Sequence, residues 1–227
     1  ANIPPDSHTT VTDMTSAYSV IGVMGPNSRA LLEEVSGASL SNELFPFGAS
    51  RELEIGYTRV RASRITYVGE LGWELYVPTE FAVHVYDRLL SIRPDLVHAG
   101  FHAMNSLRLE KGYRHWGHDI TDEETPLEAG LGFAVAWDKP GGFIGREALL
   151  AQRESGLTKR LVQFALNDPE PLLYHNEPIW RDGKQVGYLT SGMYGHTIGR
   201  ALGMGYVNHS EGVTPEFVKE GTYEIEV

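Results

Sequence analysis

The sequence predicts an α+β chain in two parts: strands and helices intermix over residues 1–155, and short strands over 156–227 close as a small antiparallel barrel. Three observations predict this. Residues 57–67 alternate like a strand with one wet face. Phe81, Val85 and Leu89 recur at helical spacing and face a core. Beyond Gly156 the apolar runs shorten, glycines punctuate them, and Asp182-Gly183 carries a hairpin turn signal.

In chain order, residues 19–24 form a short apolar strand. Gly25-Pro26 turns the chain, and Asn27 or Ser28 caps a helix over 29–35. Residues 63–78 read as two short strands hinged on Gly69 and Gly72, because glycine lets the backbone turn where a side chain would clash. That corner gathers Tyr67, Glu70 and Glu74. Thr79 caps a helix over 80–90, another runs from about Ala103 to Lys111, and a third spans 145–153 with Ala148, Leu149 and Leu150 inward. The parts join near residues 154–159. Strands then follow over 159–166, 177–180, 184–190, 201–207 and 223–227.

Composition narrows the class. Hydrophobic residues at 41% supply a core over 227 residues, and a net charge of −11 argues against a phosphate-binding surface, so no nucleic-acid partner is expected. No apolar run approaches bilayer-spanning length, and no membrane partner is expected. The chain has no cysteine, which excludes disulfides and thiolate metal sites. Residues 1–5 show neither signal nor transit peptide, and the start reads as the middle of a longer chain.

The corner at residues 67–74 carries the clearest chemistry. Tyr67 offers a ring face and a hydroxyl, and each carboxylate accepts two parallel N–H bonds from a flat heterocycle such as a pterin. The alternative is a surface hairpin with solvated glutamates. Two further segments stand downstream: Ser106-Leu107-Arg108-Leu109-Glu110 running into Lys111-Gly112-Tyr113-Arg114-His115-Trp116, and Thr125-Pro126-Leu127-Glu128-Ala129-Gly130. With Phe143-Ile144-Gly145-Arg146 and Thr190-Ser191-Gly192, the chain resembles the aminomethyltransferase family. That family holds the glycine cleavage T-protein and the folate-binding C-terminal region of sarcosine and dimethylglycine dehydrogenases. Residues 110–116 point to the dehydrogenase branch.

The resemblance implies a folate-binding portion followed by a barrel of jelly-roll or Greek-key type. It implies tetrahydrofolate as cofactor, held by Glu74 on the pterin, with Tyr67 lining the same pocket and Glu70 supporting the corner. Arg108 either anchors the folate tail or pairs with a nearby carboxylate, and His115, Trp116 and Asp119 line or buttress the cavity. The cofactor-binding set is therefore Tyr67, Glu70, Glu74, Arg108 and Trp116, while Trp73 and Tyr76 alternate between stacking and core roles. FAD belongs to an upstream flavin domain in the same chain or complex, which makes an iminium from an N-methyl amine. Folate then captures the one-carbon unit as 5,10-methylenetetrahydrofolate.

Met104 stands where the T-protein has a folate-contacting arginine, which disfavours a glycine cleavage role. The family's catalytic aspartate precedes the region matching Thr12, and neither Asp6 nor Asp13 inherits it, so the catalytic residue is unassigned and the isolated chain is expected to lack it. His102, His115, His118 and Asp119 invite a metal, but Gly117 interrupts the spacing and no metal is expected. No Gly-x-Gly-x-x-Gly follows a strand, and Ser191 lacks a nucleophile elbow. The alternatives are a glycine cleavage type aminomethyltransferase and a non-catalytic regulator or scaffold. The expected location is cytoplasmic in a bacterium and the mitochondrial matrix in a eukaryote.

Overall fold

The structure, a computed structural model, describes residues 3–227; Ala1 and Asn2, part of the segment read for a leader, lie outside the described residues. Packing divides the chain into one unit ending at His98 and a second running Ala99–Val227. The junction expected at 155–156 therefore falls inside the second unit.

The first unit contains β1 (Tyr18–Met24), α1 (Ser28–Ser36), β2 (Ser50–Ile55), β3 (Thr58–Ser63), β4 (Gly72–Pro78) and α2 (Ala82–Ile92). Its antiparallel sheet has the order β1-β4-β3-β2. Strand alternation sends Val23, Leu53, Ile55, Val60, Ala62, Trp73, Leu75 and Val77 to one face. There they pack with Leu31, Leu32 and Val35 of α1 and with Val85 and Leu89 of α2. The intervening residues, Glu74 and Tyr76 among them, point to the other face.

Local departures from the sequence reading have local causes. Strand β3 stops at Ser63, and residues 64–71 form a loop rather than the first arm of a hairpin. Arg64 leaves the β4 ladder to bond Gly48 and Ala49 through its backbone, while its Nη1 donates to the Phe45 carbonyl at 2.7 Å. Within the loop Gly69 takes φ +77°. Gly72 serves packing instead, since a Cβ there would strike Met24 Sδ and the Val23 carbonyl oxygen. Thr79 caps no helix; its hydroxyl donates to the Ser16 carbonyl, and a 3-10 turn leads into α2. Neither Asn27 nor Ser28 caps α1 by its side chain, and the Ser28 hydroxyl donates to the Leu71 carbonyl at 3.1 Å.

The second unit holds α3 (Phe101–Glu110), α4 (Arg146–Ser155), β5 (Lys159–Ala165), β6 (Pro178–Arg181), β7 (Lys184–Gly195), β8 (Arg200–Asn208), α5 (Pro215–Glu220) and β9 (Tyr223–Ile225). The antiparallel order is β5-β8-β7-β6-β9. Its two edge strands come together: Phe164 of β5 and Tyr223 of β9 have ring centroids 5.4 Å apart, so the sheet curls into a barrel-like form. Asp182 and Gly183 both take positive φ, the two-residue turn that joins β6 to β7. Leu173, Ile179, Leu189, Ala201 and Val207 fill one core, and Leu109 of α3 packs with Leu161, Leu202, Met204 and Tyr206 in another. The α+β class and antiparallel sheets read from the sequence are thus the observed ones.

Strand β7 runs through Thr190-Ser191-Gly192, with a bulge between Leu189 and Ser191. A Cβ on Gly192 would overlap the Leu173 carbonyl carbon and the Tyr174 nitrogen, so the backbone of 173–174 lies directly on this glycine. Gly192→Ala is expected to cost about 1–3 kcal/mol through forced backbone displacement, measured by chemical denaturation.

Candidate functional site

On the open face of the first sheet, Glu74 sits in β4 between Gly22 of β1 and Ser63 of β3. Two residues along, Tyr76 lies between Val20 and Arg61. Residues i and i+2 share a strand face, and here the Tyr76 hydroxyl donates to Glu74 Oε2 at 2.8 Å. Among the described residues nothing donates to Oε1. Donation to Glu74 raises the Tyr76 pKa above the usual tyrosine value, burial and the carboxylate charge add to this, and Arg61 opposes it. The arrangement is a carboxylate fixed at one oxygen, open at the other, and bordered by a phenol ring.

The other corner residues distribute differently. Tyr67 is half-buried in the loop before β4, and Glu70 is exposed. Trp73 is fully buried, with Phe45 edge-on at 6.0 Å between ring centroids and the guanidinium carbons of Arg29 and Arg64 at 5.9 and 5.7 Å from the ring. Its place is the core, and only Tyr76 of that pair faces outward.

Of the two readings of Arg108, the structure shows the ion pair with a nearby carboxylate. Its side chain is 1% exposed and every nitrogen is used: Nε donates to Asn105 Oδ1, Nη1 to the Tyr113 carbonyl and Asp119 Oδ2, and Nη2 to Ser191 Oγ. Four of its five N–H groups are thus engaged within the protein, and the side chain is almost wholly buried. Asp119, 0% exposed, is its counter-ion, at 2.5 Å. The carboxylate also accepts the His115 backbone N–H at 2.8 Å and the Thr190 hydroxyl at 2.6 Å. Ser106 and Glu110 of the same helix complete the docking. The Ser106 hydroxyl donates to the Tyr194 carbonyl at 2.6 Å, and Glu110 Oε1 accepts the Thr197 and Ile198 N–H groups in the turn from β7 to β8.

Trp116 is 67% exposed, and His115 and His118 lie with ring centroids 4.5 Å apart. Burial lowers the His115 pKa, the neighbouring His118 and Arg108 charges lower it further, and Asp119 opposes them. Among the described residues no group of three or more His, Asp or Glu side chains is placed to hold a metal ion. Nor is any helix among them long and apolar enough to cross a membrane. The parts played by Asp119 and Ser191 carry no local sequence signal, since their partner Arg108 lies 11 and 83 residues away.

Residues 1–139 match the GCVT N-terminal domain, and residues 159–227 match the glycine cleavage T-protein C-terminal barrel domain. The chain belongs to the glycine cleavage T-protein family. Human mitochondrial sarcosine dehydrogenase is 42% identical over 94% of the chain and 24% of its own length. The 4-methylaminobutanoate oxidase (formaldehyde-forming) of Paenarthrobacter nicotinovorans is 44% identical over 91% of the chain and 25% of its length. The mouse mitochondrial pyruvate dehydrogenase phosphatase regulatory subunit is 38% identical over 99% and 27%. The chain thus spans about a quarter of the length of these relatives. Among solved structures, the glycine cleavage system aminomethyltransferase T from Bartonella henselae superposes with a TM-score of 0.72 at 28% identity, covering 83% of this chain and 51% of that one. The aminomethyltransferase resemblance drawn from the sequence is confirmed.

Two outcomes follow from this geometry. Arg108→Met leaves Asp119 buried without its counter-ion and is expected to cost about 3–5 kcal/mol of stability, read from chemical denaturation of the variant. Glu74→Ala is expected to return the Tyr76 phenol toward the ordinary tyrosine range. The check is the tyrosinate absorbance titration, with Tyr76→Phe identifying the component that moves.

Proposed function

We propose that this chain is the tetrahydrofolate-binding portion of a sarcosine or dimethylglycine dehydrogenase-like enzyme, where the one-carbon unit is captured as 5,10-methylenetetrahydrofolate. The observation that carries the reading is Glu74: a carboxylate on the sheet face away from the helices, steadied at Oε2 by Tyr76 and with no donor to Oε1 among the described residues. Such a group suits the paired in-plane N–H donors of a pterin, because charge-assisted bonds to a fixed carboxylate give both energy and orientation. Glu74 holds the pterin, Tyr67 lines the pocket, and exposed Glu70 supports the corner. Arg108 contributes by holding the fold. Bound tetrahydrofolate supplies an amine nucleophile for an iminium carbon.

The iminium comes from an N-methyl amine oxidised by a flavin domain elsewhere in a longer polypeptide or complex, in keeping with the length of the sarcosine dehydrogenase relative. Holding the nucleophile close favours capture over release of the carbon to water as formaldehyde. A second reading is favoured by the match to a protein named as a regulatory subunit, which spans 99% of this chain. In that reading the fold binds without catalysing.

Calorimetric titration with tetrahydrofolate or its stable 5-formyl derivative, beside Glu74→Ala, tests the proposal. Saturable binding that weakens about tenfold or more in the variant is the expected result, as loss of a charge-assisted contact requires. Equal affinity of parent and variant overturns it.

A further inference from the structure

Gly22 lies in the interior of β1, directly opposite Glu74, and is exposed on the open face. Glycine is unfavourable in a strand interior, so its presence needs a cause. Backbone conformation is not the cause, because Gly22 is absent from the residues with positive φ. Packing among the described residues is not the cause either, because there a Cβ built on Gly22 meets a single atom within 4 Å, Met24 Cε at 3.7 Å. The contrast is Gly72, also on this sheet, where a Cβ would strike Met24 Sδ and the Val23 backbone. One glycine is demanded by the fold and the other is not.

The surroundings of Glu74 are correspondingly lopsided. On the β3 side, Ser63 fills the neighbouring position, with its hydroxyl 3.0 Å from that of Ser50. On the β1 side the position is bare, with Val20, 55% exposed, two residues along the same face. The open approach to the carboxylate is therefore across β1.

We infer that Gly22 is a specificity-determining residue of the Glu74 site. It is the bare stretch of backbone over which a flat heteroaromatic ligand lies while its in-plane N–H groups meet the carboxylate. This rests on the folate reading and extends it: a side chain at position 22 occupies the ring's place, so the site selects thin, planar donors and rejects bulkier ones. Strand glycines of this kind mark close approach of a ligand.

The test is Gly22→Val, with Glu74→Ala and the parent protein alongside, titrated with 5-formyltetrahydrofolate. Valine favours strands and meets no packed neighbour, so the variant should keep the parent's thermal midpoint or exceed it. The Tyr76 phenol should stay shifted upward by Glu74, which reports that the sheet and the carboxylate are undisturbed. Ligand affinity should fall about tenfold or more. Unchanged affinity in Gly22→Val, with Glu74→Ala weakened, overturns this inference alone. Failure of Gly22→Val to fold also overturns it, since the glycine is then structural. Absence of binding by the parent, or equal binding by Glu74→Ala, overturns the folate reading and this inference with it.

Discussion

The ion pair between Arg108 and Asp119 is the constraint on which the second unit is organised. Both side chains are all but removed from solvent, at 1% and 0% exposure. A buried charge left alone is far more costly than any single contact repays, so the pair persists only where the remaining donors and acceptors are also met. Here most of them are met by groups from many places: Asn105 in α3, Tyr113 and His115 in the following loop, and Thr190 and Ser191 in β7. Tyr206 of β8 donates its phenol to the Asp119 carbonyl at 2.9 Å. Burial, with the Glu124 and Glu128 charges behind it, raises the Tyr206 pKa well above the ordinary tyrosine range, so that donor is retained at any working pH. One helix, one loop and one strand thus converge on a single carboxylate, and a second strand reaches the main chain of the same residue.

The first unit obeys a different rule, the two-residue period of β4. Trp73, Leu75 and Val77 turn inward to α1 and α2, while Glu74 and Tyr76 turn outward. Core and candidate site therefore occupy alternate residues of one short strand, and a register slip of one residue would bury the carboxylate and expose the indole. The helices beneath the sheet fix that register by covering only one face. The candidate site on the open face is thereby held by packing on the closed one.

These physical origins explain what the sequence revealed and what it hid. Elements with strong local period, such as β1, β4, α2 and β8, were readable, as was the Asp182-Gly183 turn. Strand β2 was not anticipated, since it has only Leu53 and Ile55 facing inward; pairing with β3 settles it, helped by Arg59 lying 3.3 Å from Glu54. Helix α5 is six residues long, too short for a period to show, although Thr214 accepting the Phe217 N–H and Pro215 behind it form a readable start. Thr79 looked like a cap, but its hydroxyl is taken by Ser16, 63 residues away. Glu74 was singled out through the resemblance of its corner to the family motif, and its outward position follows from the alternation of β4. The partners of Arg108 were not legible, because tertiary folding alone brings Asp119 and Ser191 to it.

The family's two signatures consequently mean different things. Ser106, Arg108 and Glu110 all bond to β7, to its turn or to the loop that packs on it, so Ser-Leu-Arg-Leu-Glu is the signature of a helix docked on a strand. In this chain these bonds hold the barrel-like unit together, independently of anything it binds. In the corner, Gly72 answers to Met24 and Val23, and Trp73 answers to Phe45, so these too belong to the fold. Glu74 is the exception, since among the described residues its second oxygen receives no donor and its neighbour Gly22 is bare without packing need. A relative could lose the chemistry and keep every fold-bearing letter, so a regulatory subunit and an enzyme can share this fold at high coverage. Under the folate proposal, what separates them is whether the outward face of β4, with the strand beside it, still presents a carboxylate.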